Sequence, residues 1–313
     1  MCQTVIGSKF DVDPEPMTRH ANLEPRTYNF KPKTDREVTH DLPFGWCSDP
    51  THLRPVFCGN APKRFSKGDS GIMDDQGNMR VAAVGDIHYA KTSKGKLRDL
   101  FVGASSSADV LLLTGDVTDY GLPEEAAILA EDLRTYVRIP ILAVLGNHDY
   151  ESGKSAEVQA ALESIGVTFL DGNGVEIEGV GFAGVCGFGG GFDRQMLSAW
   201  GEPLIKAFVQ EAVDHSLRLG KALTNLATEK KVVILHYSPV RGTVNGENPE
   251  IYPFLGSSHL EATIDHFGAS VVFHGHAHNG EIKGKTSGNI PVFNVALPVL
   301  LRTGKEPFFL YKV

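Results

Sequence analysis

Five short apolar runs limit what this chain can become. They are RVAAVG (Arg80–Gly85), DVLLLT (Asp109–Thr114), PILAVL (Pro140–Leu145), KVVIL (Lys231–Leu235) and SVVF (Ser270–Phe273). Each is apolar at successive rather than alternate positions, the pattern of a strand covered on both faces. Helical periods lie between them. In 123–137 the residues Ala126, Leu129, Ala130, Leu133, Tyr136 and Val137 recur at i, i+3, i+4 and i+7. Pro123 suits the first helical turn, and Glu124 and Glu125 sit at the positive end of the helix. Segment 155–165 sets Val158, Leu162 and Ile165 on one face. Segment 203–229 is predicted to turn Ile205, Phe208, Ala212 and Leu219 inward. Segment 258–267 ends at Gly268, suited to the residue that closes a helix. Segments 166–188 and 280–313 are predicted strands joined by Gly- and Asn-rich turns. The whole reads as an α/β fold.

The first part of the chain differs. Eight of the 17 prolines (Pro14, Pro16, Pro25, Pro32, Pro43, Pro50, Pro55 and Pro62) fall there, and no period survives them. Residues 1–78 are expected to be an irregular extension and 79–313 the main domain. The extension's aromatic residues Tyr28, Phe30, Phe44, Trp46 and Phe57 are expected to pack its later part on that domain. With 42% hydrophobic residues in 313, the chain can bury a sizeable core. No apolar run reaches membrane-spanning length and no secretory signal is evident. Four cysteines make no disulfide framework, and Cys47 and Cys58 read as reduced thiols of a cytoplasmic protein. The net charge of −8, from 38 acidic and 30 basic residues, argues against nucleic acid as a partner.

Each apolar run leads straight into polar residues. The first ends in Gly85-Asp86-Ile87-His88, the second in Gly115-Asp116 and the third in Gly146-Asn147-His148-Asp149. The fourth ends in His236 and the fifth in His274-Gly275-His276-Ala277-His278. Strand ends at one rim of an α/β sheet are where ligands bind, and glycine there allows close backbone approach. Asp86, His88, Asp116, Asn147, His236, His276 and His278 supply seven donors, too many for one tetrahedral zinc. They suit two divalent ions sharing one carboxylate. Mixed nitrogen and oxygen donors without thiolate favour Mn or Fe, with Zn or Ni as alternatives, over Ca or Mg. Such a pair activates water for in-line displacement at phosphorus.

These blocks, in this order, resemble the calcineurin-like metallophosphoesterase superfamily, and within it the bacterial branch that contains phosphodiesterases. The resemblance covers residues 80–298. It implies a four-layer fold, a two-sheet β-sandwich flanked by helices, with a two-metal site at the strand ends. It implies that Asp86, His88, Asp116 and His278 hold one metal. Asp116, Asn147, His236 and His276 would hold the other, with Asp116 bridging and a bridging hydroxide as nucleophile. His148 would be the general acid that protonates the leaving alkoxide, and Asp149 would orient its imidazole. The substrate would be a small phosphorylated molecule, a monoester or a diester.

Some details depart from the family pattern. Tyr89 stands where many members have Gly and is expected to reshape the site entrance. Tyr150-Glu151-Ser152-Gly153-Lys154 follows GNHD where the phosphodiesterase branch often has Arg. His274 is a candidate for contact with substrate, while His215, His259 and His266 read as structural. GFGGGF (Gly187–Phe192) reads as a turn after a strand or as a loop over the substrate, with Arg194 reaching a phosphate oxygen. The loop 237–257 is long enough to shape specificity. A catalytically silent interaction scaffold is the alternative function, and retention of every ligand argues against it. A nuclease is disfavoured by the net charge.

Overall fold

The computed structural model describes residues 63–65, 78–304 and 306–313. The expectations for the aromatic residues of 1–78 and for Cys47 and Cys58 lie outside the described residues. Lys63–Phe65 nevertheless forms a strand, β1, so regular structure enters the stretch expected to be irregular.

The five apolar runs are strands. They are β2 (Arg80–Val84), β3 (Val110–Thr114), β4 (Ile141–Val144), β8 (Lys230–Leu235) and β9 (Val271–His274). β5 (Thr168–Phe169), β6 (Asn173–Ile177), β7 (Val180–Val185), β10 (Lys283–Lys285), β11 (Pro291–Asn294) and β12 (Phe309–Lys312) complete two mixed sheets among the described residues. One sheet runs β12-β2-β3-β4-β5, parallel except for β12. The other runs β1-β6-β7-β8-β9-β11-β10, with β7, β8, β9 and β11 parallel.

Helices α1 (Arg98–Ser107), α2 (Pro123–Tyr136) and α3 (Ser155–Glu163) cover the first sheet. α4 (Pro203–Asn225) and α6 (Ser258–Phe267) cover the second, which makes four layers. Two short helices, α5 (Tyr252–Leu255) and α7 (Leu297–Arg302), lie in connections. β8 shows why its run is apolar throughout. Val232 and Ile234 join the core between the sheets, while Val233 and Leu235 pack with Leu219, Leu223, Leu260 and Ile264 under α4 and α6.

Local signals work as chemistry predicts. Pro123 opens α2, and the buried Glu125 carboxylate accepts from the Tyr120 N–H (2.9 Å) and Leu122 N–H (3.3 Å). Gly268 closes α6 at φ 75°. α4 departs from its expectation. Ala212 and Leu219 are buried, but Ile205 is 44% exposed, and burial along the helix begins only at Val209. Its first turns therefore carry apolar side chains that no described residue covers. Among the described residues no helix is long and apolar enough to cross a membrane.

Candidate metal centre

Parallel order in the two sheets brings β2, β3, β4, β8 and β9 to one rim, and the polar residues that follow them meet there. Among the described residues three groups of side chains have ligand atoms within 4.8 Å of one another. One is His88, Asp119 and His148. Of the other two, the first is Asp86, His88, Asp116 and His278 and the second is Asp116, His236 and His276. Asp116 belongs to both of these. Asn147 joins the second through its Oδ1, 2.8 Å from His236 Nε2. All seven residues singled out from the sequence as metal donors thus converge.

The backbone is bent to achieve this. Seven described residues other than glycine have positive φ, and four of them are Asp86 (55°), His88 (41°), Asp116 (46°) and His276 (69°). Each such conformation costs about 1–3 kcal/mol and persists where the surroundings over-determine it. Two glycines make the space. A Cβ on Gly146 would stand 2.2 Å from Asp116 Oδ1, and one on Gly275 would stand 2.2 Å from Asp86 Oδ2. The carboxylates occupy the volume that any larger residue would fill.

Hydrogen bonds then aim the donors. His236 Nδ1 donates to the Thr114 carbonyl (3.0 Å), so Nε2 of the neutral ring carries a lone pair. That lone pair faces Asn147 Oδ1 at 2.8 Å and Asp116 Oδ1 at 3.4 Å, acceptors meeting acceptors. His276 Nε2 donates to the Phe254 carbonyl (3.1 Å), leaving Nδ1 as its lone pair. His88 Nε2 is buried and has no hydrogen-bond partner among the described residues, while its Nδ1 lies 3.4 Å from Asp119 Oδ1. An orphaned imidazole nitrogen and opposed lone pairs are what a cation resolves, and the donor chemistry fits divalent transition metals. Imidazoles fixed through their other nitrogen are also the usual habit of metal-binding histidines.

The electrostatics agree. Burial pushes His88, His236 and His276 below the ordinary imidazole range, His276 to about 4, so these rings are neutral. Burial and the neighbouring Asp86 push Asp116 up to about 6. For Asp86, burial opposes ionisation, but the hydrogen bond from His278 (2.9 Å), whose own pKa is raised, outweighs it and holds the carboxyl low.

His148 stands beside the donors, its ring 4.6 Å from that of His88. Burial works against its protonation, but the Asp119 carbonyl, which accepts from Nδ1 at 2.7 Å, and the Asp116 and Glu151 carboxylates hold its pKa above the ordinary value. Asp149 differs from its expected role. Its carboxylate accepts from the N–H groups of Gly146 (2.8 Å), Thr118 (2.9 Å) and Val117 (3.3 Å) and from the Thr118 hydroxyl (2.6 Å). The 3-10 turn His148–Tyr150 turns Asp149 inward, where it ties the loops after β3 and β4 together. Asp119, which the sequence reading did not single out, orients the imidazole through its main chain. No side-chain signal marks such a residue.

Three other expectations change. Tyr89 is fully buried and its hydroxyl bonds Asp132 on α2, so it lies under the helix and not at the entrance. His274 is also buried. It donates from Nδ1 to the Gly275 carbonyl and meets the Thr243 hydroxyl at 2.7 Å through Nε2, so both ring nitrogens are engaged within the fold. The GFGGGF stretch is a bonded strip: the Gly190 N–H donates to Pro253 O (2.6 Å) and the Gly191 N–H to Gly256 O (2.8 Å). Arg194 is exposed on the turn Asp193–Gln195 that follows. His215 is structural as expected, its Nδ1 accepting from the Gly187 N–H at 3.1 Å. A cleft of about 1090 Å³ lies between α1, α7 and β12 and borders this neighbourhood at Asn279, Gly280 and Arg302.

The family model for calcineurin-like phosphoesterases matches residues 79–280. Among solved structures, a phosphopantetheinyl hydrolase from Mycobacterium tuberculosis is 16% identical, with 74% of this chain and 95% of that chain covered and a TM-score of 0.54. The protein TT1561 of Thermus thermophilus is 19% identical, with 75% of this chain and 98% of that chain covered and a TM-score of 0.48. No curated protein matches the chain. At these identities the structural likeness is one of fold.

Proposed function

Because the chain belongs to the calcineurin-like phosphoesterase family across residues 79–280, we propose that it hydrolyses phosphoesters at two divalent cations sharing Asp116. The observation that carries this reading is the convergence of carboxylate and imidazole donors on two groups with that one carboxylate in common. Asp86, His88, Asp116 and His278 hold one cation. Asp116, Asn147, His236 and His276 hold the other. Cations held there, Mn or Fe foremost and Zn or Ni as alternatives, would supply Lewis-acid polarisation of phosphoryl oxygens and activation of water.

His148 supplies the proton. Its Nδ1–H is engaged by the Asp119 carbonyl, so Nε2–H is the proton free to pass to the leaving alkoxide. Its raised pKa keeps that proton in place near neutral pH. Asp149 sets the loop geometry: its bonds to Gly146 and Thr118 fix the approach of Asn147 and His148 to Asp116. The His148 N–H then donates to Asp116 Oδ1 at 2.8 Å. The catalytic domain is 79–313 with 1–78 as its extension, the substrate a small phosphorylated molecule and the compartment the cytoplasm.

The test is hydrolysis of p-nitrophenyl phosphate and bis-p-nitrophenyl phosphate by the full chain. Chelation is expected to abolish it and Mn²⁺ to restore it. Turnover that survives exhaustive chelation would contradict the proposal.

A further inference from the structure

A line of aromatic rings starts on the candidate centre and runs outward. The Tyr237 ring lies 4.4 Å from that of His276 and 5.4 Å from that of His236. Phe188 follows at 5.9 Å from Tyr237, then Phe208 at 4.8 Å from Phe188, then Phe254 at 6.0 Å from Phe208. The far end is open: Phe254 is 57% exposed. It continues along α4, because Leu204 and Ile205 precede Phe208 by four and three residues and share its face. They are 84% and 44% exposed.

This shelf is built into the fold. Phe254 sits on α5, inside the loop 237–257. One side of its segment is bonded to the glycine strip, where a Cβ on Gly189 would stand 2.5 Å from Pro253 O. The other side is bonded to the centre itself, through the Phe254 carbonyl and His276 Nε2. The glycines of GFGGGF thus let the aromatic segment close against the site. Exposed apolar side chains scattered singly need no explanation, but a contiguous set beside a reactive centre marks a binding surface.

We infer that the organic part of the substrate is apolar, an aryl or hydrocarbon group, and that it lies on the shelf formed by Tyr237, Phe188, Phe208 and Phe254 while its phosphorus faces the metal donors. This inference rests on the phosphoesterase reading. The occupant follows from continuity: the shelf begins on the imidazoles that the phosphoryl group must approach, and beyond the Tyr237 hydroxyl the side chains of Phe188, Phe208, Phe254, Leu204 and Ile205 offer only ring faces and alkyl groups to what extends from there.

The test uses phosphodiesters with p-nitrophenolate as the common leaving group and methyl, phenyl, n-octyl or thymidin-5′-yl as the other group. kcat/KM is expected to rise on the order of tenfold from methyl to phenyl or octyl, with less gain for thymidinyl. The phenyl and octyl arms separate an aryl from a hydrocarbon preference. In Phe254→Ala and Phe208→Ala the ratio of the phenyl or octyl ester to the methyl ester is expected to fall toward one. Melting temperature and metal content check that the variants fold. A flat series, or a gain that survives both substitutions, overturns the inference. If no ester is hydrolysed, the phosphoesterase reading fails, and calorimetric binding still decides the shelf. Phenylphosphonate is then expected to bind more tightly than methylphosphonate, and equal binding overturns it.

Discussion

Asp116 is the residue on which opposing forces meet. Its backbone is held in the left-handed region, its side chain fills the space left by Gly146, and burial beside Asp86 raises its pKa to about 6. A carboxylate raised in this way keeps a proton that a divalent cation must displace. Cation affinity is therefore expected to rise as pH climbs through about 6, the single Asp116 proton being exchanged once for the pair of ions, at a slope of about tenfold per pH unit below that point. His278, held above the ordinary imidazole value by its hydrogen bond to Asp86, gives up a further proton and extends the rise toward neutral pH, which calorimetric titration across pH 5 to 8 checks. His148 calls for a different experiment. His148→Asn is expected to slow turnover of an alkyl ester by ~10²–10⁴-fold and to cost far less on a p-nitrophenyl ester, whose leaving group needs no proton. Metal content should be unchanged. Equal losses on both esters would remove its role as acid. At this scale the residue types were legible in the sequence, but the direction of their side chains was not. Neighbours in the chain do not share a direction in a tight turn, so Asp149 faces inward beside an outward His148. Tyr89 likewise follows a donor yet turns under α2, where Asp132 satisfies its hydroxyl.

Among the elements, the strands β2, β3, β4, β8 and β9 and the helices α2, α3, α4 and α6 were readable because their patterns are set by burial, which leaves a mark at every turn. α1 was not. Its sequence RDLFVGASSS holds a glycine and three serines and buries only Leu100, Phe101 and Ala104. α7 is six residues long with Pro298 in its first turn, too short for a period. It matters nonetheless. Arg302, its last residue, donates to the carbonyls of His278 (2.9 Å) and Gly280 (2.8 Å). Glu247 holds the same loop from the other side, accepting from the Asn279 N–H at 2.6 Å. Losing the guanidinium frees the carbonyl end of His278. Arg302→Ala is therefore expected to weaken the cation held by Asp86, His88, Asp116 and His278 more than its neighbour. Metal analysis of the dialysed protein should show about half the wild-type content. Full content and unchanged affinity would mean that the clamp is dispensable.

At the scale of the whole molecule, two mixed sheets face each other between helical layers, and their parallel strands deliver donors from residues 86 to 278 to one rim. The order of the blocks disclosed this arrangement before any contact was known, because a parallel sheet must present successive strand ends on one side. The aromatic shelf was invisible at that stage, since it is made by tertiary closure of the glycine strip on the loop around Phe254. The account as a whole stands on one carboxylate serving two ions. The most direct measurement is titration of metal-free protein with Mn²⁺, following bound metal and phosphodiester hydrolysis together in the wild type and in Asp116→Asn. Two ions per chain are expected in the wild type, with hydrolysis rising as the second binds, and both occupancy and turnover should collapse in the variant. A single ion per chain, or two ions and full turnover in Asp116→Asn, would contradict it.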